Sequence, residues 1–352
     1  MERILVIQMK RIGDLVLTAP ALSRLRQARP DAEITLLTMG AAGELAPTLP
    51  SIDRHLNYHY RRLNLAVWAS VISDRFDTVL DFIGSDRSVF LTWLSRAGTR
   101  ATYEKRARGF WREIAYTDLC DAKLRDYHTI DHMAALLDAI GIPKAGDFDD
   151  PLPLLVIPEG ARERAGEILK ERGVKGPFAL IHPGTAKEEK YWRPERWAEV
   201  IRECGTGPLQ LPCVITGGAD AFERRHIDAI FETLKSMPGV PSPVLLAGRT
   251  SLLETAAVID RATLALGVDT AAMHLAAAFQ VPQVVLFGPT NPFHWRPRQG
   301  RARIVFSGHP GVMDEGDYVK KIEERPMDAI SVAQVIDAIS GLPGIQERRA
   351  AK

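Results

Sequence analysis

The sequence predicts an α/β fold built from doubly wound parallel sheets in two domains. Short apolar runs typical of buried parallel strands alternate along the chain with segments whose apolar residues have helical spacing. This alternation stops over residues 141–158, where glycine, proline and acidic residues cluster, and then starts again. The length of 352 residues also suits two domains of ordinary size.

The first half begins with a strand at RILVIQ and a helix at DLVLTAPALSRLRQAR, in which Leu15, Leu22 and Leu25 share one stripe. AEITLLT and FDTVLDFI predict further buried strands, and NLAVWASVI and DRSVFLTWL predict helices between strands. We therefore place a first domain at residues 1–150, with both faces of its sheet covered by helices.

The second half repeats the pattern and predicts a second domain at residues 151–330. Strands are predicted over PFALIHPG, LPCVITGG, PVLLAG, TLALGV and QVVLFGPT, and helices are predicted to begin at Glu159, Pro194, Asp220, Ser251 and Thr270. Residues 331–352 hold one more amphipathic helix, which we expect to pack back on the first domain and to end in a solvated tail. Ligands of open α/β sheets bind beyond the carboxyl ends of the strands, so we expect the chemistry there, in a cleft between the domains.

Composition narrows the class of protein. With 45 basic and 44 acidic residues the net charge is +1, which gives no overall attraction to nucleic acid. The three cysteines form no CxxC pair, and no run is long enough for a signal peptide or a membrane span. We expect a soluble, cytoplasmic protein.

The segment RIGDLVLTAP follows the first strand. Gly13 allows close approach of the backbone, and Asp14 stands where the first helix begins. The carboxylate either faces the predicted cleft or merely caps the helix.

Two loops in the second half predict an anion site and a ribose site. In HPGTAKEEKYWRPERW, Thr185, Lys187 and Lys190 offer a hydroxyl and two cations to a phosphate, unless the lysines are ordinary solvated surface. In TGGADAFE, two glycines precede Asp220 and Glu223, either of which has the acceptors to bind ribose hydroxyls. The chain has no GxGxxG or GxxxxGK motif, which argues against dinucleotide dehydrogenases and P-loop enzymes.

The segment GVDTAAMHLAAAF is the sharpest local feature. A strand ends before Asp269 and Thr270, and the small residues Ala271 and Ala272 open a helix that carries His274. Free amides at such a helix terminus suit a diphosphate. The alternative is that Asp269 or Thr270 caps the helix and His274 is a buried structural residue.

Basic residues concentrate in the first half. Arg96 to Arg112 contains six basic residues and one acid, interleaved with aromatic residues, and Arg61 and Arg62 form a smaller group. This pattern suits anionic lipid headgroups, although many charge runs are simply solvated. The single DxD triplet, with Asp147 and Asp149, falls in the linker and is read as solvated rather than as a metal site.

Taken together, RIGDLVLTAP, HPGTAKEEKYW, the TGGAD turn, AGRTSLLETAAVI, GVDTAAMHLAAAF and LFGPTNP resemble the successive blocks of the bacterial lipopolysaccharide core heptosyltransferases, glycosyltransferase family 9. The resemblance covers most of the chain and is densest over residues 179–296. It implies a GT-B architecture, in which two Rossmann-like domains face each other across a cleft. It also implies an inverting, metal-independent transfer of heptose from ADP-heptose to an anionic lipid A core acceptor, by a peripheral protein at the cytoplasmic face of the inner membrane. No cofactor and no nucleic acid are implied.

By the same resemblance, Asp14 is the general base and Lys190 steadies the phosphates or the transition state. The residues implied to bind the donor are Gly13, Thr185, Asp220, Glu223, Thr250, Ser251, Leu252, Asp269, Thr270, Ala271, Ala272 and His274. The residues implied to bind the acceptor are Arg61, Arg62, Lys105, Arg106 and Arg108. The chain departs from the family where Ala271 replaces the usual glycine and where Pro326 precedes Met327 in place of a cysteine.

Three other functions fit the same sequence less well. The first is a glycosyltransferase of the same fold with another nucleotide sugar. The second is a nucleotide-binding assembly protein without turnover, which the presence of Asp14 and Lys190 disfavours. The third is a GT-B-like sugar-nucleotide epimerase, which requires acid and base carboxylates around the sugar and no basic patch that faces lipid.

Overall fold

The structure is a computed structural model that describes residues 1–144, 154–298, 301–323 and 325–350. The chain forms two compact units, Met1–Val156 and Ile157–Lys352. The predicted boundary after residue 150 and the DxD triplet at Asp147 and Asp149 lie outside the described residues.

The first unit is a six-stranded parallel sheet in the order β3-β2-β1-β4-β5-β6. Its strands are β1 Arg3–Ile7, β2 Glu33–Met39, β3 Arg54–Tyr58, β4 Thr78–Asp81, β5 Thr99–Tyr103 and β6 Asp118–Cys120. Its helices are α1 Ile12–Ala28, α2 Leu65–Ser73, α3 Asp86–Ser95, α4 Glu104–Ala107, α5 Phe110–Glu113 and α6 Thr129–Ala139, and 3-10 turns lie at Gly40–Thr48 and Leu124–Asp126.

The second unit has the same strand order with one antiparallel strand added, β13-β12-β11-β10-β7-β8-β9. Its strands are β7 Ala179–His182, β8 Cys213–Ile215, β9 Val244–Leu245, β10 Leu264–Val268, β11 Gln283–Phe287, β12 Ala302–Phe306 and β13 Val312–Met313. Its helices are α7 Glu159–Glu171, α8 Pro194–Thr206, α9 Ala221–Lys235, α10 Leu252–Arg261, α11 Ala271–Ala278, α12 Pro292–Trp295, α13 Val332–Ser340 and α14 Ile345–Ala350.

The strands and helices predicted from periodicity are confirmed. Their central residues are fully buried in β1, β10 and β11, as expected for parallel strands covered on both faces. The strands β3, β5, β6, β12 and β13 were not predicted. Most of them are edge or near-edge strands, such as the partly exposed β3 and the two-residue β13, and lack a continuous apolar run.

The C-terminal segment corrects one expectation. The apolar side chains of α13, including Val335 and Ile339, belong to the core of the second unit, whereas we expected this helix to pack on the first domain. The tail also is not simply solvated, because the guanidinium of Arg348 donates to the carbonyl oxygens of Ala262 and Phe279. The amphipathic pattern established that the helix has a buried face but not which core receives it.

None of the helices in the described ranges has both the length and the apolar character that crossing a bilayer requires.

Candidate functional site

Both sheets reverse their strand order at one place, between β1 and β4 in the first unit and between β7 and β10 in the second. The connections at such a switch point run to opposite faces of the sheet and leave a crevice at the carboxyl ends of the strands, where ligands bind. Asp14 follows β1, whereas Lys190 and Asp269 follow β7 and β10. Each candidate therefore lies in the segment that follows a strand at the switch point of its own unit.

Asp14 lies in the first turn of α1. The residue at the N-cap is Arg11, with no capping bond from its side chain, so the alternative interpretation of Asp14 as the N-cap is wrong. The Asp14 carboxylate lies 3.7 Å from the ammonium of Lys10, and the Asp14 carbonyl accepts a hydrogen bond of 2.7 Å from the Thr18 hydroxyl. Gly13 is the second residue of the same helix. The carboxylate is mostly shielded from solvent but remains accessible.

The second unit joins Lys190 and Asp269 in an ion pair. The Lys190 ammonium donates to Oδ2 of Asp269 at 2.6 Å and also contacts the Asp269 carbonyl oxygen at 3.3 Å. Their side chains are only 13% and 9% exposed. Because the lysine is held by a carboxylate and a carbonyl, its charge is fixed at the mouth of the β7–β10 crevice instead of moving with solvent.

The amino end of α11 continues this cluster. Thr270 is the N-cap but makes no capping bond with its side chain, and its buried hydroxyl oxygen has no hydrogen-bond partner among the described residues. Ala271 and Ala272 form the first turn, and Nε2 of the buried His274 lies 4.0 Å from the Asp269 carboxylate. The amides of a first helical turn lack acceptors inside the helix, and small side chains leave them approachable. The positive end of α11, the Lys190 ammonium and the unpartnered Thr270 hydroxyl are therefore close together and all suit an anion.

The second unit also contains a cavity of about 420 Å³. Its volume is in the range of small-molecule sites. It is lined by Thr185, Ala186, Glu188, Tyr191, Asp220, Phe222 and Glu223. Of the predicted donor-binding residues, the structure therefore brings Thr185, Asp220 and Glu223 to one pocket.

Glu223 is buried in this pocket among three glycines. A Cβ atom at Gly184 would lie 2.1 Å from the Glu223 carboxylate, and Cβ atoms at Gly217 and Gly218 would lie 2.7 Å and 2.8 Å from it. Burial raises the pKa of Glu223, while a hydrogen bond from the Gly218 amide opposes that rise. The glycines after β7 and β8 are thus required because the carboxylate occupies the space of their side chains.

Four of the predicted donor residues lie at the amino ends of helices. Asp220 is the N-cap of α9 and accepts from the Phe222 amide at 2.9 Å, although it also lines the cavity. Ser251 caps α10 in a reciprocal capping box with Glu254. The Thr250 hydroxyl bonds to the Thr255 hydroxyl, and Leu252 begins α10. Thr250, Ser251 and Leu252 do not line the cavity, so their role toward adenine stays a prediction.

Sequence reasoning missed Tyr191, which lines the cavity, and His226, which packs against it. The ring of Tyr191 stacks on that of His226, with centroids 4.6 Å apart and planes within 3°. The Tyr191 hydroxyl donates to the Thr185 carbonyl oxygen at 2.9 Å, which holds the loop after β7. Burial lowers the pKa of His226 to about 4, and its buried Nε2 has no partner among the described residues. Tyr191 is next to Lys190 in the sequence, which is the one indication of its place in the site. No motif in the sequence indicated that His226 belongs there.

The predicted acceptor residues lie in two segments of the first unit. Arg61 and Arg62 are exposed in the turn after β3, while Lys105 and Arg108 are exposed at α4. Arg106 is half-buried, with its stem against Gly84. In the ranges that the structure describes, no group of three or more histidine, cysteine, aspartate or glutamate side chains is placed to hold a metal ion.

The model of glycosyltransferase family 9, described as heptosyltransferase, matches residues 64–324. That is more than half of the chain. The protein belongs to this family. It is an enzyme of the glycosyltransferase class, as the resemblance predicted.

Relatives of this family 9 glycosyltransferase match it over most of their length. Lipopolysaccharide heptosyltransferase 3 of Escherichia coli K12 is 26% identical over 299 residues, which cover 82% of this chain and 83% of the relative. Lipopolysaccharide heptosyltransferase 1 of Pseudomonas aeruginosa is 26% identical over 304 residues, which cover 82% and 79%.

Solved structures confirm the fold of the glycosyltransferase. A family 9 glycosyl transferase from Veillonella parvula superposes with a TM-score of 0.81 at 24% identity, covering 98% of this chain and 97% of that one. The E. coli ADP-heptose lipopolysaccharide heptosyltransferase II gives a TM-score of 0.76 at 20% identity, covering 99% of each chain. The predicted α/β fold with two Rossmann-like domains is therefore confirmed.

Proposed function

We propose that this glycosyltransferase moves heptose from ADP-L-glycero-D-manno-heptose to the inner core of lipopolysaccharide, with Kdo-lipid A or a heptosylated core as acceptor. The reaction inverts the anomeric centre and needs no metal ion. Family membership and the relatives named for lipopolysaccharide heptosyl transfer support this proposal. The observation that carries it is the fixed Lys190–Asp269 pair beside the uncapped amino end of α11.

In our proposal, the diphosphate of the donor binds at the amino end of α11. The amides of Ala271 and Ala272 meet the phosphate oxygens, and the partial positive charge of the helix end adds to the charge of Lys190. The hydroxyls of Thr185 and Thr270 donate to the same oxygens. The nucleoside occupies the cavity of the second unit, where the Glu223 carboxylate accepts from ribose hydroxyls. In this arrangement, groups of the chain stabilise the diphosphate through hydrogen bonds and the charge of Lys190.

Asp14 acts as the general base in this scheme. Its carboxylate takes the proton of the acceptor hydroxyl while that oxygen attacks the anomeric carbon from the face opposite the diphosphate. The bond from the anomeric carbon to the phosphate oxygen breaks, and ADP leaves with the electron pair. Lys190 and the α11 amides stabilise the negative charge that develops on the leaving phosphate.

The basic residues of the first unit bind the acceptor in this proposal. An inner-core acceptor carries carboxylates and phosphates, and exposed Arg61, Arg62, Lys105 and Arg108, with the half-buried Arg106, offer charges of the opposite sign. Because that acceptor is lipid-anchored, we propose that the protein works as a peripheral protein on the cytoplasmic face of the inner membrane.

The decisive experiment incubates the protein with ADP-heptose and truncated lipid A core acceptors in the presence of EDTA. Mass spectrometry and the anomeric coupling in the product's NMR spectrum identify the sugar, its position and its configuration. Equal or better transfer from another nucleotide sugar, retention of configuration, or loss of turnover with EDTA would each overturn one part of the proposal.

The same assay tests the base. Asp14→Asn is expected to lower turnover by about 10² to 10⁴, the range for removal of a general base, while the Kd for ADP stays unchanged. Asp31→Asn removes an exposed carboxylate of the same unit and serves as the matched control. Turnover of Asp14→Asn equal to that of Asp31→Asn would remove Asp14 from the mechanism.

A further inference from the structure

Large apolar side chains are exposed mainly on one part of the first unit. Among the described residues, nine of the fifteen exposed large hydrophobic side chains lie within residues 60–114, against two in the whole second unit. Soluble proteins rarely gather exposed apolar side chains without a partner for them. This concentration is unrelated to the crevice and cavity described above, and the proposed chemistry does not use it.

Ring contacts connect three of these exposed side chains, Phe90, Trp93 and Trp111, with the half-buried Trp68, which also packs against the core of the first unit. Trp68 of α2 meets Phe90 of α3 at 5.5 Å between centroids, Phe90 meets Trp93 at 6.0 Å, and Trp93 meets Trp111 of α5 at 5.9 Å. Phe110, next to Trp111, is 82% exposed, and Trp111 itself is 61% exposed. We call Trp68, Phe90, Trp93, Phe110 and Trp111 the aromatic surface. It combines three segments that are distant in the sequence.

Helix α2 extends the aromatic surface with an uncharged outer face. Its sequence LAVWASVIS contains no charged residue, and Val67 and Val71 fill the sheet side of the helix. Leu65 and Ile72 are therefore exposed on the side away from the core, at 70% and 56%. A helix of a soluble protein ordinarily presents charged residues there. Its outer face instead suits an apolar environment.

Cationic side chains accompany the aromatic surface. The Arg87 guanidinium of α3 lies over the ring of the exposed Tyr60 at 4.8 Å, and Arg61 lies near the same ring at 5.6 Å. Lys105 and Arg108 precede Phe110 in the chain. Of the acidic neighbours, Asp86 is already paired with Arg112. Exposed tryptophan and phenylalanine beside arginine and lysine match the headgroup region of a bilayer with anionic lipids, where apolar rings enter and cations remain at the phosphates.

We propose that the aromatic surface is the part of the protein that inserts into the headgroup region of an anionic lipid bilayer. The inference rests on the proposed function in that a lipid-anchored acceptor requires the enzyme to work at a membrane. The inference goes further by naming the residues that contact the membrane. This contact does not depend on the identity of the donor, on the acceptor sugars or on Asp14. The surface holds the first unit against the bilayer while the basic residues meet the acceptor's anionic groups.

The test uses the full-length protein and vesicles that contain neither donor nor acceptor. Co-sedimentation is measured with vesicles of phosphatidylethanolamine and phosphatidylglycerol and with neutral phosphatidylcholine vesicles. The variant Trp93→Ser/Phe110→Ser/Trp111→Ser is compared with Leu119→Ser/Val319→Ser, which removes exposed apolar side chains elsewhere. We expect the triple variant to bind anionic vesicles at least about tenfold more weakly, because interfacial binding scales with the apolar area inserted. The control variant and the wild type are expected to bind alike.

A second measurement separates this proposal from the proposed function. Transfer to a water-soluble, deacylated acceptor is expected to be unchanged in the triple variant, which also shows that the variant is folded. Three results would overturn the proposal: no preference of the wild type for anionic vesicles, vesicle binding by the triple variant equal to that of the control, or a wild-type dimer in solution that the triple variant abolishes. A chain that binds vesicles through these residues but transfers no heptose would contradict the proposed function alone.

Discussion

Replacing Lys190 by methionine is expected to destabilise the second unit, because it leaves the Asp269 carboxylate largely buried without its partner. Nζ of Lys190 and Oδ2 of Asp269 are 2.6 Å apart. At an effective dielectric constant of about 20, Coulomb's law gives an attraction of about 6 kcal/mol for unit charges at this 2.6 Å separation. The cost of removing both charges from water offsets part of this attraction, and loss of one partner of such a pair costs about 3–5 kcal/mol.

The change is read by calorimetry and chemical denaturation. For a domain of this size, about 1 kcal/mol shifts Tm by roughly 2–4 °C, so a loss of about 3 kcal/mol lowers the transition of the second unit by roughly 6–12 °C. Lys187→Met is the matched control from the same loop. Lys187 pairs with Glu189 at 3.4 Å with both side chains more than half exposed, and such surface pairs contribute little to stability.

A double-mutant cycle completes the test. Asp269→Asn alone leaves the lysine unpaired, whereas Lys190→Met/Asp269→Asn leaves no unpaired charge. The double variant is therefore expected to be more stable than the sum of the two single effects implies. Equal Tm values for Lys190→Met and Lys187→Met, or strictly additive single effects, would refute the argument that the ion pair fixes this site.

Three further predictions concern other parts of the molecule. Gly217→Ala places a Cβ atom 2.7 Å from the Glu223 carboxylate, so we expect displacement of that carboxylate and a weakening of ADP binding by about tenfold or more in calorimetric titration. Burial lowers the pKa of His182 to about 4, so unfolding takes up a proton there and the free energy of unfolding falls as pH decreases from about 6.5 to about 4. In His182→Gln the slope of that fall, measured by denaturation at several pH values, is expected to decrease by up to about 1.4 kcal/mol per pH unit. Lys105→Glu/Arg108→Glu is expected to raise the KM for a deacylated acceptor by about tenfold or more while sparing the KM of the donor, because each reversal turns a charge-assisted contact into repulsion.

Each of these three predictions has a control variant or a result that would contradict it. Gly176→Ala adds a methyl group with no heavy atom within 4 Å and should leave ADP binding unchanged. Arg172→Glu reverses an exposed charge of the second unit and should leave the acceptor KM unchanged. An unaltered pH slope in His182→Gln would show that another group takes up the proton. A donor KM that rises with the acceptor KM would assign the basic residues a different role.

The sequence alone predicted the alternation of strands and helices, because burial of a parallel strand or a helix face requires a periodic apolar pattern that depends only on neighbours in the chain. It also identified the segments that carry Asp14, Lys190 and Asp269, because predicting a strand also identifies the residues that follow it. Strands such as β3 and β6 were not predicted because they are partly exposed and have no continuous apolar run.

Only the tertiary structure decided which residues meet. Lys190 and Asp269 are 79 residues apart and pair because β7 and β10 are neighbours in the sheet. The glycines after two different strands enclose Glu223, and rings from α2, α3 and α5 form one surface. The structure also decided an alternative that the sequence left open, because Asp14 is not the N-cap of α1, and it corrected the expected packing of α13, which belongs to the second core. Such contacts depend on strand order and helix packing, which bring distant segments together. The apolar periodicity of each segment shows that it is buried but not which other segment it contacts.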